Sequence, residues 1–490
     1  MNHSGGAVVV WDRATGPDCV SSPASLTCIH TVEAVSRGNS AEGWSSPVPI
    51  ARPGVGAAPR AAVNDSGRAA VSWVHDIGRD RVLQATYRTG PRESFPNPSD
   101  ISAAVLEVRN HRVALDAAGD VVAVWAERHV DVFDVAAEVR SVSSGVWGAP
   151  VVLSRGPATA GPSLAVAPNG EAFAVWAENG VVQVARGFIA TALCPAGMPA
   201  CWDPPVALSP SFGEATGEPV VAVNSLGDAA AVWLWRERPR GQLILQATYR
   251  PVGGSWGAPL DLANGGDLAA RPDVALDDEG NALVVWRGVS GGLQAAMRTR
   301  VGKWSPPVNL PSGRASEAQI AVDARGDAVA VWRNETARRL QTAIRPTAAG
   351  AWQPAFFLST MDASTPRVAL DAAGNGTAVW NTESGETVAA VSSSLTGDWE
   401  PTLANTRRPV VLGRARIGGT VVCDRGGWEG TVPIRYAYRW LRNGHALGRA
   451  NGLRYRVPRR DAGALLACRV TATNAARSLT RNSRAVRVMR

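Results

Sequence analysis

Lysine is almost missing from this 490-residue chain: Lys303 stands alone against 49 arginines. We read that bias as genomic base composition. No run of about 18 apolar residues occurs, so no transmembrane helix is encoded. Helix-period apolar stripes between caps are also missing. Glycine (50) and proline (33) are abundant instead, which excludes a helical protein and suits short strands joined by turns. The six histidines, His3, His30, His75, His111, His129 and His445, lie in no HExxH, GxSxG or P-loop phrase. The six cysteines include no CxxC, so neither a zinc nor a redox site is read from them. The start, MNHSGGAVVVW, has no charged n-region, apolar h-region or cleavage site, so no signal peptide is visible.

What is present is a repeat. The phrases VNDSGRAAVSW, LDAAGDVVAVW, APNGEAFAVW, VNSLGDAAAVW, LDDEGNALVVW, VDARGDAVAVW and LDAAGNGTAVW recur, and MNHSGGAVVVW is an eighth copy. They end at Trp11, Trp73, Trp125, Trp176, Trp233, Trp286, Trp332 and Trp380, a period near fifty residues. A second tryptophan, often ahead of Pro-Val, follows at Trp44, Trp147, Trp202, Trp256, Trp304, Trp352 and Trp399, with Phe95 in the second copy. Between them lies a phrase of the LQATYR type. Each unit therefore reads as four strands: a (xPxVALD), b (GDAVAVW), c (LQATYR), and d after the second tryptophan. The a–b link is a tight turn. In it an Asx (Asn64, Asp116, Asn224, Asp277, Asp323, Asp371) bonds its own backbone. A glycine three residues on takes the left-handed position. Continuous Ala/Val strands imply burial on both faces.

Four-stranded units at this period are a propeller signature. The DxxGxxxxxW phrase is similar to the Asp-box of sialidase-like propellers. It also resembles the tryptophan-docking phrase of eight-bladed quinoprotein dehydrogenases, with a longer Gly-to-Trp interval here. The resemblance is to propellers as a class and carries no active site. The expected fold is all-β: an eight-bladed propeller over residues 1–404, its first blade lacking the inner strand, then a separate β-sandwich over 405–490. Because the first unit opens inside its own a–b turn, the true start is expected upstream of Met1, after a signal peptide.

Charge divides at the same place. Residues 406–490 hold 19 arginines and three acids (Asp424, Glu429, Asp461), a net +16 that points to a polyanionic partner. This segment has the order Cys423, Trp440, Cys468, and its RWLRNG and DAGALLAC phrases resemble those of bacterial Ig-like modules. The resemblance implies a buried tryptophan against an inter-sheet disulfide. Leu466 stands where antibody-type domains keep a corner tyrosine. Such modules act as spacers or adhesion units. The other cysteines, Cys19/Cys28 and Cys194/Cys201, pair locally around the longest insertions and are read as bracing disulfides of an oxidising compartment.

The repeat tryptophans are expected to fill inter-blade space. The arginines closing strand c (Arg37, Arg88, Arg140, Arg186, Arg250, Arg298, Arg345) are expected to pair with a neighbouring blade's acids. Trp235 stands outside the repeat register, with Arg236, Arg238 and Arg240 beside it. In a b–c loop these four are the candidate contacts for a carbohydrate or anion, against the plainer reading of a solvated loop. No catalytic residue, metal site or cofactor is assigned. The expectation is a non-enzymatic, secreted or cell-surface binding or adhesion scaffold. Its partner would be a glycan or an acidic cell-envelope polymer, and the basic C-terminal domain would bind polyanions. The alternative is a sialidase-like propeller glycoside hydrolase, which would need a tyrosine nucleophile, a carboxylate and an arginine cluster. The propeller part offers only Tyr87 and Tyr249.

Overall fold

The computed structural model describes the chain except residues 16–28, 52–55, 190–199, 238–240, 265–270, 360–361, 383–386, 392–402, 431–433, 449, 475–477 and 490. The chain divides into two compact units. The first comprises Met1–Phe357, Met361–Glu386 and Ser393–Gly397; the second comprises Leu358–Thr360, Thr387–Ser392 and Asp398–Arg490.

The first unit is a β-propeller. Antiparallel sheets follow one another along the chain; from the second blade to the seventh the strands stand in the spatial order a-b-c-d, and the eighth shows a-b-c among the described residues. The second blade is typical, with Gly56–Val63, Ala69–Ile77, Asp80–Arg88 and Ser99–Asp100 as neighbours. The first blade begins at strand b, Ala7–Thr15, and continues through Ile29–Arg37 to Val48–Pro49. Strand b is the most buried element everywhere; in the fourth blade every residue of Glu171–Glu178 is buried. That is the physical reason for its unbroken apolar run: both its faces meet another sheet.

The a–b turns close the ring. Each Asx side chain accepts the amides two to four residues on; Asn224 Oδ1 takes those of Leu226, Gly227 and Asp228 at 3.1, 3.0 and 2.9 Å. Gly227 supplies the left-handed residue (φ 99°) that this loop needs. Successive turns are bonded to one another. Ala117 donates its amide to Pro168 O (3.0 Å) and Asp278 to Ala324 O (3.4 Å), from one turn to the same place in the next. Ala372 of the eighth blade donates to His3 O of the first (3.1 Å) at the equivalent position, so the eighth blade joins the first as any blade joins its successor. Asn2 is the first blade's Asx, and its Nδ2 reaches Asn64 O at 3.0 Å. Asn64 and Asn224 reach the next turn's backbone in the same way. An aspartate has no such donor.

Between blades, one face is bulky and the other small. Seven of the closing tryptophans, Trp73 through Trp380, are no more than 2% exposed. Each described cluster sets the tryptophan against the preceding blade: Trp176 with Val122 and Val124, Trp286 with Val232 and Leu245, Trp332 with Leu283 and Val285. Trp11 is half-buried. The described second tryptophans are half-buried, Trp202, Trp304 and Trp352 along the same interfaces. An indole removes roughly 150–250 Å² from water, and it fits here because the facing strand is Ala and Val. The LQ phrase has its own role. Gln84, Gln246, Gln294 and Gln341 accept the buried indole N–H of their blade's tryptophan at 3.1–3.2 Å. Where strand c has Ala136 opposite Trp125, Glu127 takes that proton instead (2.6 Å).

The second unit is a β-sandwich. One sheet contains Val410–Leu412, Thr420–Asp424 and Arg454–Arg456; the other is built on Arg435–Arg442 and Leu465–Thr473. The Cys423–Cys468 disulfide joins them (Cα–Cα 6.0 Å) beside the fully buried Trp440. Tyr455 stacks on Trp440 with ring centroids 5.4 Å apart. Its hydroxyl donates to Asp461, which is buried and also accepts from Arg442 Nη1 at 2.9 Å. Cys201 is disulfide-bonded; Cys19, Cys28 and Cys194 lie outside the described residues.

Candidate functional site

Of the loop cluster read from the sequence, Trp235 is not in a loop and is not available to a ligand. Trp235 lies in strand b of the fifth blade, Ala229–Glu237, and is only 3% exposed. Its ring packs edge-on against Phe212 (5.2 Å) and lies so close over Gly213 that a Cβ there would overlap it. Strand b runs to Glu237 in this blade, four residues past the repeat tryptophan, and carries Trp235 inward. Arg236 is exposed, and Arg238 and Arg240 lie outside the described residues.

The strand-c arginines face the preceding blade, but mostly not its acids. Arg140 lies over the Tyr87 ring (4.1 Å) and Arg298 over Tyr249 (3.8 Å). Arg88 donates to Ser36 Oγ (3.0 Å) and Arg37 to Thr377 Oγ1 (3.0 Å). Only Arg250 meets a neighbouring blade's carboxylate among the described pairs, Glu171 at 2.9 Å, both side chains 4% exposed. The usual partner is an aromatic face or a hydroxyl because this register of the preceding blade carries Tyr, Phe, Ser or Thr.

Polar groups converge on the axis instead, where strand a begins. Each described long strand a is interrupted there by a register shift, as between Ala57 and Arg60, Arg109 and Arg112, Ser316 and Gln319, and Ser364 and Arg367. A left-handed residue marks the irregularity: Ala58 (φ 53°), Asn110 (53°), Glu317 (54°), Thr365 (51°), with Gly161 and Gly217 in the fourth and fifth blades. Four of these are not glycine, and a β-branched Thr with positive φ is an outlier. Strain of this kind gathers where backbone must aim a side chain, and bulges do this aiming beside active sites.

Three of these six irregularities aim an arginine. Two residues after the left-handed position stand Arg60, Arg112 and Arg367, of the second, third and eighth blades; Arg271 enters from the sixth. Glu218 of the fifth blade bridges across the ring. Its Oε2 lies 3.3 Å from Arg112 Nη2 and 3.2 Å from Arg271 Nη1. Burial first, then the like charges of Arg271 and Arg60, pushes Arg112 down to about 9. Burial, followed by Arg367 and Arg271, lowers Arg60. Burial followed by Arg271 lowers Arg367, which still touches solvent. Arginine keeps its proton in proteins, so this crowding is borne as repulsion. The other acids are engaged: Asp273, raised chiefly by burial, accepts the Ile320 amide at 2.9 Å, and Glu317 accepts that of Thr365. His111 backs the cluster, buried, with Nε2 3.4 Å from Ser72 O. Burial first and then Arg60 and Arg112 hold it down to about 3, so it is neutral at physiological pH.

These axial residues escaped the reading of the repeat. The signal was the dipeptide opening strand a, Pro59-Arg60, His111-Arg112 and Pro366-Arg367. It became informative only once the bulge was seen. Elsewhere, a pocket of ≈ 360 Å³ on the second blade is lined by His75, Gln84, Asn97, Pro98 and Asp100, but Gln84 is already held by Trp73 and Asp100.

No family model matches the chain. No curated protein sequence matches it either. Among solved structures it is similar to one from a study of two prolyl endopeptidases (11% identity, TM-score 0.45), covering 86% of this chain and 54% of that one. It is similar to the Hadza microbial sialidase Hz136 (11% identity, TM-score 0.36; 73% and 72% covered). It is also similar to a protein from Lactobacillus plantarum (13% identity, TM-score 0.43; 71% and 95% covered). The chain thus spans about half the length of the endopeptidase (54%).

Proposed function

We propose that this chain is a non-enzymatic, secreted or cell-surface binding protein. In this reading the propeller holds an anionic ligand, an acidic glycan or acidic cell-envelope polymer, at its axial arginines. The sandwich is an Ig-like module whose arginine-rich surface adds affinity for polyanions. The observation that carries the reading is the convergence of Arg60, Arg112, Arg271 and Arg367 from four blades. Like charges are costly to gather, and the cost is offset when an oxyanion joins them. The carboxylates beside them are occupied by arginines or backbone amides rather than set apart as an acid–base pair. In the sandwich, Arg414, Arg416, Arg454, Arg456, Arg459 and Arg460 are all exposed. The Cys423–Cys468 bond is compatible with an extracellular place. No helix among the described residues is long and apolar enough to cross a membrane.

A glycan array combined with a hydrolysis screen on the full chain tests this reading. Retention of acidic glycans without turnover is expected; turnover would overturn it. Retention on heparin should fall when Arg454 and Arg456 become Gln. The hydrolase reading has one observation in its favour, the arginine cluster itself. Its tyrosine is harder to supply, since Tyr87 and Tyr249 are buried in strand c and the Tyr249 hydroxyl donates to Gly280 O in an a–b turn (2.9 Å), at the other end of the blade.

A further inference from the structure

Glu218 occupies the place an anionic ligand would take. One of its oxygens, Oε2, serves both Arg112 and Arg271. Yet the cluster keeps donors in reserve. Arg60 bonds only its neighbour's carbonyl, Pro59 O (3.3 Å), and Arg367 only Pro366 O (2.8 Å). No carboxylate lies within ion-pair distance of either among the described residues. Arg271 Nε is buried without a partner. A guanidinium carries five N–H donors in a planar fork that matches carboxylate, sulfate and phosphate oxygens in pairs. Four such forks from four blades, sharing a single bridging carboxylate oxygen, leave most of this capacity unused. Neutral His111 behind them adds no competing charge.

The side chain of Glu218 is accessible (26% exposed) and follows left-handed Gly217 in a strand whose pairing lapses between Thr216 and Val220. It is therefore held by its two ion pairs rather than by regular strand pairing, and it sits where it can be pushed aside.

We propose that the axial arginines form an oxyanion site in which Glu218 is a built-in, displaceable counter-ion: a ligand's carboxylate, sulfate or phosphate group takes its place between Arg112 and Arg271 and engages Arg60 and Arg367. This rests on the binding reading above and names the chemistry of that site. Occupancy by Glu218 sets a threshold. Only a ligand that brings more than one oxyanion oxygen, or holds the group at high local concentration on a polymer, outcompetes a tethered carboxylate.

The test is calorimetric titration of the full chain at fixed ionic strength with glucuronate, glucose 6-phosphate and glucose. Wild-type protein should bind the two charged sugars and not glucose. Glu218→Gln should bind them about 10-fold more tightly, a gain that misfolding does not produce. Arg60→Gln/Arg367→Gln should bind at least 10-fold more weakly, and Lys303→Gln, an exposed cation in the c–d link of the sixth blade, should leave these affinities unchanged. Unaltered or weakened affinity in Glu218→Gln, or equal affinity in the axial double variant, overturns the proposal. If acidic glycans are retained on the array while the axial variants behave as wild type, the oxyanion site fails and the binding protein stands. If the charged sugars bind as expected but no glycan is retained, the site stands and the glycan reading fails.

Discussion

Arginine forms two rings in this propeller, and they do opposite things. The outer ring closes strand c, and several of its members are held by the blade before, Arg140 by Tyr87, Arg250 by Glu171 and Arg298 by Tyr249, while Arg186 pairs with Glu171 of its own blade. The inner ring opens strand a, and its members chiefly face one another. The first arrangement stabilises the interfaces. The second gathers like charge, which opposes folding. Residue type therefore says little about an arginine's role here; its distance from the axis says most.

Four experiments would break or sharpen this contrast. The largest effect is expected at the outer ring. Glu171→Ala leaves Arg250 buried without its carboxylate and should cost about 3–5 kcal/mol in chemical denaturation. A loss under 1 kcal/mol would mean that the outer pairs do not hold the blades. Behind the inner ring, His111 takes up its proton in the unfolded chain near pH 6.5 but resists it in the fold down to about pH 3. The unfolded state binds more protons across that window, so stability falls on acidification. The loss by pH 5 should be about 2 kcal/mol relative to pH 7. His111→Gln should remove that slope. Glu138 slopes the other way: burial pushes it up to about 8, so the folded chain holds its proton through a range where the unfolded chain has released it. Glu138→Gln should flatten a loss of stability between about pH 5 and 8 that His111→Gln leaves untouched. The smallest effect belongs to the inner ring. Arg60→Gln or Arg367→Gln should change stability by less than about 1 kcal/mol, toward stabilisation, and make it less sensitive to added salt. A loss comparable to that of Glu171→Ala would erase the distinction between the rings.

The eightfold repeat, the a–b turn chemistry and the burial of the closing tryptophans were legible because they are local or periodic. Asp371 and Gly374 make their turn within five residues, and an indole recurring once per unit at a strand end belongs to an interface. Trp235 was misplaced for the converse reason. Leaving the repeat register looked like leaving the core, whereas strand b simply continues and carries the ring inward. Leu466 did rule out a corner tyrosine at its own position, but Tyr455, from another strand, supplies a hydroxyl to buried Asp461.

By itself, the order of residues determined an all-β chain of eight similar sheets and a Cys–Trp–Cys sandwich, because hydrogen-bonded turns, two-sided apolar strands and indole spacing act over a few residues or one period. Tertiary structure alone decided where the charges meet. Residues 60, 112, 218, 271 and 367 share no window of sequence. Only closure of the ring, with irregular pairing in the inner strands that carry Arg60, Arg112, Glu218 and Arg367, brings their charges within reach of one another, since electrostatic interaction depends on distance through space and not along the chain.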